Sequence, residues 1–263
     1  MCFFCCVFVQ YGDFGAYIGC MKKIKIVSFS LRNFAVNCAI VLMLVCVSFC
    51  AVCGVEIVET TNASRGVYFC GDKASNKVTL MVNVYWGTEY IEPMLEIFEK
   101  YNIKTTFFVG GVWAVKESAM LEKIYQAGHE IANHGYNHKE HKKLSLENNL
   151  QEIENTHNVV KSILGIDMNF FAPPSGSYNQ TTIDAAASLG YKTIMWTEGR
   201  DTIDWRDKDS EVIYRRAIKN CKGGDFVLMH PTEATKNALE RIVVKLQQDG
   251  FELCSISQNL QQN

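Results

Sequence analysis

Proline is scarce, 4 in 263 residues, and no stretch is dominated by one residue type, which excludes collagen-like, low-complexity and disordered chains. Charge is nearly balanced, with 26 Lys and Arg against 28 Asp and Glu. The basic field of a dedicated nucleic-acid binder is therefore missing, and no nucleic-acid partner is expected. The chain has no GxGxxG after its first apolar strand run, no GxxxxGK loop and no GxSxG elbow, which argues against nucleotide binding and against serine hydrolase chemistry. Cysteine is plentiful only at the start. Eight of the 11 lie in the first 53 residues, leaving Cys70, Cys221 and Cys254 without any CxxC pair. The bulk of the chain is thus neither disulfide-stapled nor zinc-ribbon-like, although two of the last three cysteines could still bridge.

What is present begins with an uncharged run, residues 34–52, about the length of a bilayer-crossing helix. Lys22, Lys23, Lys25 and Arg32 precede it against the single acid Asp13, so the positive-inside rule places everything after about residue 54 outside the membrane. Segment 21–54 is read as a signal peptide or membrane anchor, with cleavage and retention both open. Met21 opens MKKIKI, a conventional charged start. Residues 1–20 are accordingly either a mis-assigned upstream extension or a genuine cytoplasmic or membrane-associated one. Residues 55–77 are polar and aperiodic, as a stalk would be.

From Val78 the pattern alternates. Apolar runs at 78–84, 104–109, 129–133, 169–172, 191–196, 225–230 and 251–256 read as buried strands. Helical periodicity occupies the intervals at about 91–101, 114–127, 145–164, 180–189, 209–220 and 233–249. Strands alternating with helices specify an α/β fold with a parallel sheet, and seven strands favour a closed or nearly closed barrel over residues 78–260. Gly128, Gly190 and Gly250 punctuate helix ends, while Ser145 and Asp209 stand where amino-terminal caps belong.

In such a barrel, chemistry gathers where strands end. One strand end carries His134 and His138, four apart and able to share a metal ion. Another carries Asp201, Asp204 and Trp205, and a third His230 followed by Pro231. A histidine pair at this spacing is more often structural than metal-binding; three polar groups at one rim change that balance. His129 reads as a satisfied structural histidine, His157 as a helix-face residue and His141 as a surface group. Trp86 and Trp113 fit packing as well as they fit a substrate platform.

These blocks carry a resemblance. YNIKTTFFVGG (101–111), AGHEIANHGYNH (127–138), APPSGSYN (172–179), WTEGRDTIDW (196–205) and FVLMHP (226–231) resemble, in order and spacing, the NodB-like polysaccharide deacetylases, carbohydrate esterase family 4. NVYWGTEY (83–90) is similar to the sporulation-associated branch. The resemblance implies a distorted (β/α) barrel and metal-dependent removal of N-acetyl groups from a cell-wall amino-sugar polymer, peptidoglycan or chitin-like. It implies His134 and His138 as ligands of a divalent metal (zinc, or cobalt or manganese) and His230 as general acid. Asp201 and Asp204 would support His230, and Trp205, Pro173, Ser175 and Leu228 would line the acetyl pocket.

The chain departs from that pattern where the family has a general-base aspartate and a metal-binding aspartate. Here Asn83 and Val84 occupy those positions, and Ala172 and Ser175 replace the arginine and tyrosine of the third motif. Glu89, in the same loop as Asn83, is the candidate substitute base. Two readings follow: a metal-dependent deacetylase with an altered first motif, or a catalytically impaired, membrane-tethered module that binds glycan.

Overall fold

Seven of the eight residues in the strand Lys77–Val84 are buried, as an apolar run covered on both faces requires. It is the second strand, β2, of the computed structural model, which describes residues 66–261 together with Cys38 and residues 40–43, the latter five in helical conformation. The remaining strands are β1 (Val67–Tyr68), β3 (Thr106–Val109), β4 (Glu130–Asn133), β5 (Phe170–Phe171), β6 (Lys192–Ile194), β7 (Phe226–Met229) and β8 (Glu252–Leu253). The order is β1-β6-β5-β4-β3-β2-β7, with β8 paired to the start of β2, and every ladder is parallel.

Eight helices flank these strands among the described residues: α1 (Ile91–Lys100), α2 (Gly111–Lys116), α3 (Ser118–Gln126), α4 (Leu146–Leu164), α5 (Gln180–Ser188), α6 (Ser210–Ile218), α7 (Glu233–Gln248) and α8 (Ile256–Leu260). The single helix expected over 114–127 is two, broken at Glu117. Ser145 and Asp209 cap α4 and α6, accepting from the amides of Asn148 and Glu211. Gly128, Gly190 and Gly250 are all left-handed, at φ 81°, 80° and 86°.

Two corrections concern the architecture. Val67–Tyr68 pairs with β6, so part of the stretch read as a stalk belongs to the sheet. Closure is also partial: β1 and β7 are the ends of the sheet and share no ladder. A single antiparallel bridge, Cys70 to Asp225, and the Gly71 amide on the Gly224 carbonyl (2.8 Å) link them at one level. Higher up, the irregular segment 197–202 lies beside β7, with the Leu228 amide donating to the Arg200 carbonyl (2.9 Å). Arg200 fastens that segment from within. Its Nε meets Asp225 Oδ2 at 2.7 Å and its guanidinium also donates to the Lys219 and Asn220 carbonyls.

The alternation of side chains along each strand divides the apolar residues into two clusters. Leu80, Val82, Val84, Phe107, Val109, Val227 and Met229 pack with the helices. Met81, Phe108, Ala132, Phe170, Ile194, Phe226 and Leu228 fill the concave side. Cys221 and Cys254 are free thiols, which burial pushes up to about 12 and about 11, so the bridge left open among the last three cysteines is not formed. The apolar run 34–52 and its basic flank lie outside the described residues, the five helical residues excepted. Among the described residues no helix is long and apolar enough to cross a membrane.

Candidate active site

Asn83 shares the concave side with Met81, whereas Val84 alternates outward into the helix layer and is fully buried there. Strand periodicity therefore decides what the altered first motif offers: a carboxamide at the carboxyl end of β2, and nothing from position 84. Asn83 lines a cavity of about 330 Å³ with Tyr85, Trp86, His134, His138, Ser175, Trp196, Asp201, Trp205, Leu228 and His230. Asn83 itself is 4% exposed, and its Oδ1 has no hydrogen-bond partner.

The histidine pair sits on a loop held by hidden polar groups. Asn133, the last residue of β4, donates to the Ile153 carbonyl on α4 (2.8 Å) and accepts from the Gly135 amide (2.9 Å). Glu152 on α4 does more. One carboxylate oxygen accepts from the Tyr136 and Asn137 amides (3.0 and 2.7 Å), and the other from Asn137 Nδ2 (2.8 Å) and Lys139 Nζ (3.1 Å). Burial alone would raise its carboxyl; the bonds from Asn137 and Lys139 outweigh burial and hold it below the usual range. His138 takes a left-handed backbone, φ 55°, within this tethered loop.

His134 donates its Nδ1 hydrogen to the Ala172 carbonyl (2.7 Å), which leaves Nε2 with a lone pair. Burial, reinforced by His138, holds its pKa well below the ordinary value; His138 is lowered by burial and by His230. The two rings are 5.2 Å apart at 66°. His230 is ordered differently. Its Nδ1 is 2.7 Å from Asp204 Oδ1, while Asp204 Oδ2 accepts from the His230 amide (2.6 Å) and the Thr235 hydroxyl. Asp204 is wholly buried behind the histidine, and Trp86 stacks on the imidazole at 5.6 Å and 14°. Asp201 uses Oδ1 to accept from the Ile203 amide (2.7 Å), and burial raises its carboxyl.

The donor set falls short of a catalytic zinc site. Such sites use three protein ligands. Here two imidazoles are adjacent, Val84 faces away, and the Tyr85 ring packs 4.9 Å from that of His138. Gly110 makes room for that ring, since a Cβ there would lie 2.3 Å from Tyr85 Cδ2. Among the described residues no group of three or more His, Cys, Asp or Glu could hold a metal ion.

Asn83, His134, His138, Ser175, Asp201, Trp205, Leu228 and His230, all expected at the site, meet at this cavity, and Asp204 backs it. Pro173 is buried and Glu89 is exposed in the turn Thr88–Tyr90; neither lines the cavity. Tyr85 and Trp196 were not singled out from sequence, although both lie inside the blocks NVYWGTEY and WTEGRDTIDW, which were the signal available. Trp86 is at the cleft mouth, 42% exposed, whereas Trp113 is buried and donates to Thr88 Oγ1. His129 accepts from the Thr105 amide through Nδ1 (3.1 Å), and His157, on α4, meets the Tyr191 hydroxyl. His141 departs from expectation: it is fully buried, with Nδ1 on Asn149 Oδ1 (2.7 Å) and Nε2 unpartnered.

Residues 71–194 match the polysaccharide deacetylase family model. A peptidoglycan-N-acetylglucosamine deacetylase of Bacillus cereus is 30% identical over 179 residues, covering 65% of this chain and 82% of that protein. This chain belongs to the polysaccharide deacetylase family. The uncharacterized protein YlxY of Bacillus subtilis is 36% identical over 72% of this polysaccharide deacetylase chain, which spans 58% of YlxY. Among solved structures, BA3943 of Bacillus anthracis, described as a CE4 family pseudoenzyme, superposes with a TM-score of 0.72 at 33% identity, over 74% of this chain and 69% of that one. A BA3943 mutant, described as having restored enzymatic activity, superposes equally well at 31% identity.

Proposed function

We propose that this polysaccharide deacetylase domain binds N-acetylated amino-sugar polymer of the cell wall in the cleft around Asn83, and that its hydrolytic step is crippled. The observation that carries this reading is the side chain at position 83. Hydrolysis of an acetamide needs a group that takes the proton of the attacking water and a group that gives one to the leaving amine. His230, backed by Asp204, supplies the second. An uncharged carboxamide cannot supply the first, and Glu89 is not at the cavity. Loss of a general base typically costs roughly 10²- to 10⁴-fold in rate. The exported orientation expected from residues 21–54 would bring the cleft to the wall polymer, secreted or tethered at the membrane.

A metal-dependent deacetylase is the second reading. It is favoured by the preserved constellation of His134, His138 and the His230–Asp204 pair, and divalent metal dependence is the family's general habit. Acetate release from peptidoglycan and from N-acetylglucosamine oligomers, with added zinc or cobalt and a His134→Ala control, separates the two. The expected result is release at the level of the control together with measurable retention of the oligomers. Release that disappears in His134→Ala would establish the second reading instead.

A further inference from the structure

Behind the cleft, a chain of hydrogen bonds joins the surface of α4 to the strand end that bears His134. Asn133, the buried last residue of β4, has two amide hydrogens to place: one goes to the Ile153 carbonyl (2.8 Å) and the other to the Tyr191 hydroxyl (3.4 Å). Tyr191, just before β6, is 5% exposed. Its oxygen already accepts from Asn133, so its own hydrogen is left for His157 Nδ1, 2.6 Å away on α4. A ring nitrogen that accepts carries no proton. The hydrogen of the neutral imidazole is therefore on Nε2, which meets Asp167 Oδ1 at 3.0 Å. Lys161 Nζ reaches the same oxygen at 2.6 Å. Every hydrogen in the chain has one destination.

That order depends on a neutral His157. The imidazole is 23% exposed, so solvent can deliver a proton to it. A second ring proton sits on Nδ1 and faces the Tyr191 oxygen. The phenol hydrogen must then turn away, and its neighbour on the other side, Asn133 Nδ2, is itself a donor. Ionisation offers no escape, because burial pushes the Tyr191 phenol up to about 12. Either Tyr191 or the Asn133 carboxamide has to move. The other end of that carboxamide, Oδ1, accepts from the Gly135 amide (2.9 Å) and so sets the turn, at φ 69°, from His134 into the loop that carries His138. Asp167, Lys161 and Tyr191 are the charged or titratable groups that meet His157. α5, packed on the same helix, adds no hydrogen bond or ion pair to it among the described residues.

We infer that Tyr191 and His157 are positioning residues for the histidine loop and make it answer to pH: protonation of His157 takes away the acceptor of Tyr191 and loosens the hold of Asn133 on Gly135. Neither side chain lines the cavity, and both act on it only through Asn133. The loop responds in this way whether the cleft only retains glycan or also deacetylates it.

The test is hydrogen exchange of the Gly135 amide in the full chain, followed by NMR between pH 8 and pH 5.5 and corrected for the intrinsic pH dependence of exchange, with the His157 ring signal titrated in the same samples. Protection of Gly135 should fall about 2- to 10-fold as His157 takes up its proton, the worth of one hydrogen bond. In His157→Gln that fall should be absent, while His134, His138 and His230 still titrate and give the baseline. In Tyr191→Phe, His157 should titrate without any response at Gly135, whose protection is already low at pH 8. Asp167→Asn alters an exposed carboxylate and leaves the fold alone. His157 should then protonate about 0.2–0.7 pH units lower, and the fall at Gly135 should shift with it. Three results would overturn the inference: wild-type protection indifferent to the His157 titration, an equal fall in His157→Gln, or a fall that stays in place in Asp167→Asn while the His157 titration moves.

Discussion

Lowering the pH should destabilise the domain through His129, far from the cleft. The imidazole is 3% exposed, its Nδ1 accepts from the Thr105 amide, and it lies at tilted, edge-type angles to Phe98 and Phe107, with centroids 5.4 and 5.1 Å away. Burial, with help from the Lys104 charge, lowers its pKa from 6.5 to about 4. The folded state therefore binds the proton less readily than the unfolded chain. The stability from the neutral ring is fully present above 6.5 and is lost as pH falls through about 4. Linkage between those two values puts the loss at about 2 kcal/mol by pH 5 and about 3 kcal/mol by pH 4, relative to pH 8. His129→Asn keeps an acceptor in the Nδ1 position and removes the titration. Urea unfolding of both proteins at pH 8 and pH 5 gives the difference, since His134, His138 and His141 are common to both and cancel. The wild type should lose about 2 kcal/mol more than the variant over that interval. Parallel losses would refute the assignment of a buried, neutral His129.

Two further perturbations probe the supports of the cleft. Arg200→Met strands Asp225 without its partner, both side chains being under 10% exposed, and should cost about 3–5 kcal/mol in urea unfolding; a loss below about 1 kcal/mol would mean the segment 197–202 is held by its backbone contacts alone. Glu152→Gln turns an NH₂ group toward donors on the His138 loop and should cost about 1–3 kcal/mol at pH 7. Because the Glu152 carboxyl is held below its ordinary value, the stability it gives is present above about 4.5 and fades below it. The penalty of the variant should therefore shrink as the pH is taken down to 3, and a penalty constant with pH would show that the carboxylate charge is not what holds the loop.

How much of this was legible depended on whether a residue's surroundings were local. The seven expected strands are all present because buried parallel strands advertise themselves as unbroken apolar runs, although several are shorter than their runs. His134, His138 and His230 were found because polar residues at strand ends stand out against such runs. β1 was missed for the opposite reason: a two-residue strand carries no period, and Val67–Tyr68 is a strand only because β6 lies beside it. His141 sits in a charged stretch, KEHKK, that reads as surface; Asn149, eight residues on, draws the ring inward. Glu152 looks like any acid on an amphipathic helix until the loop it anchors is placed over it. The outward turn of Val84 follows from strand alternation alone.

Two cavity-lining residues, His138 and Ser175, and Ile203, two residues after the cavity-lining Asp201, have left-handed backbone, at φ 55°, 55° and 56°. For a β-branched side chain such as Ile203 that conformation is a genuine outlier, held here by the Asp201 carboxylate on its amide and by its own carbonyl, which accepts from Arg206 and Asp207. A fold freed of every demand on its rim could relax this position with a glycine and gain thermal tolerance. That Ile203 stays bent sets the seating of the cavity-lining Asp201, whose carboxylate its amide holds, against the molecule's own robustness, so a search for hardier variants would be drawn to this turn and would loosen Asp201 first.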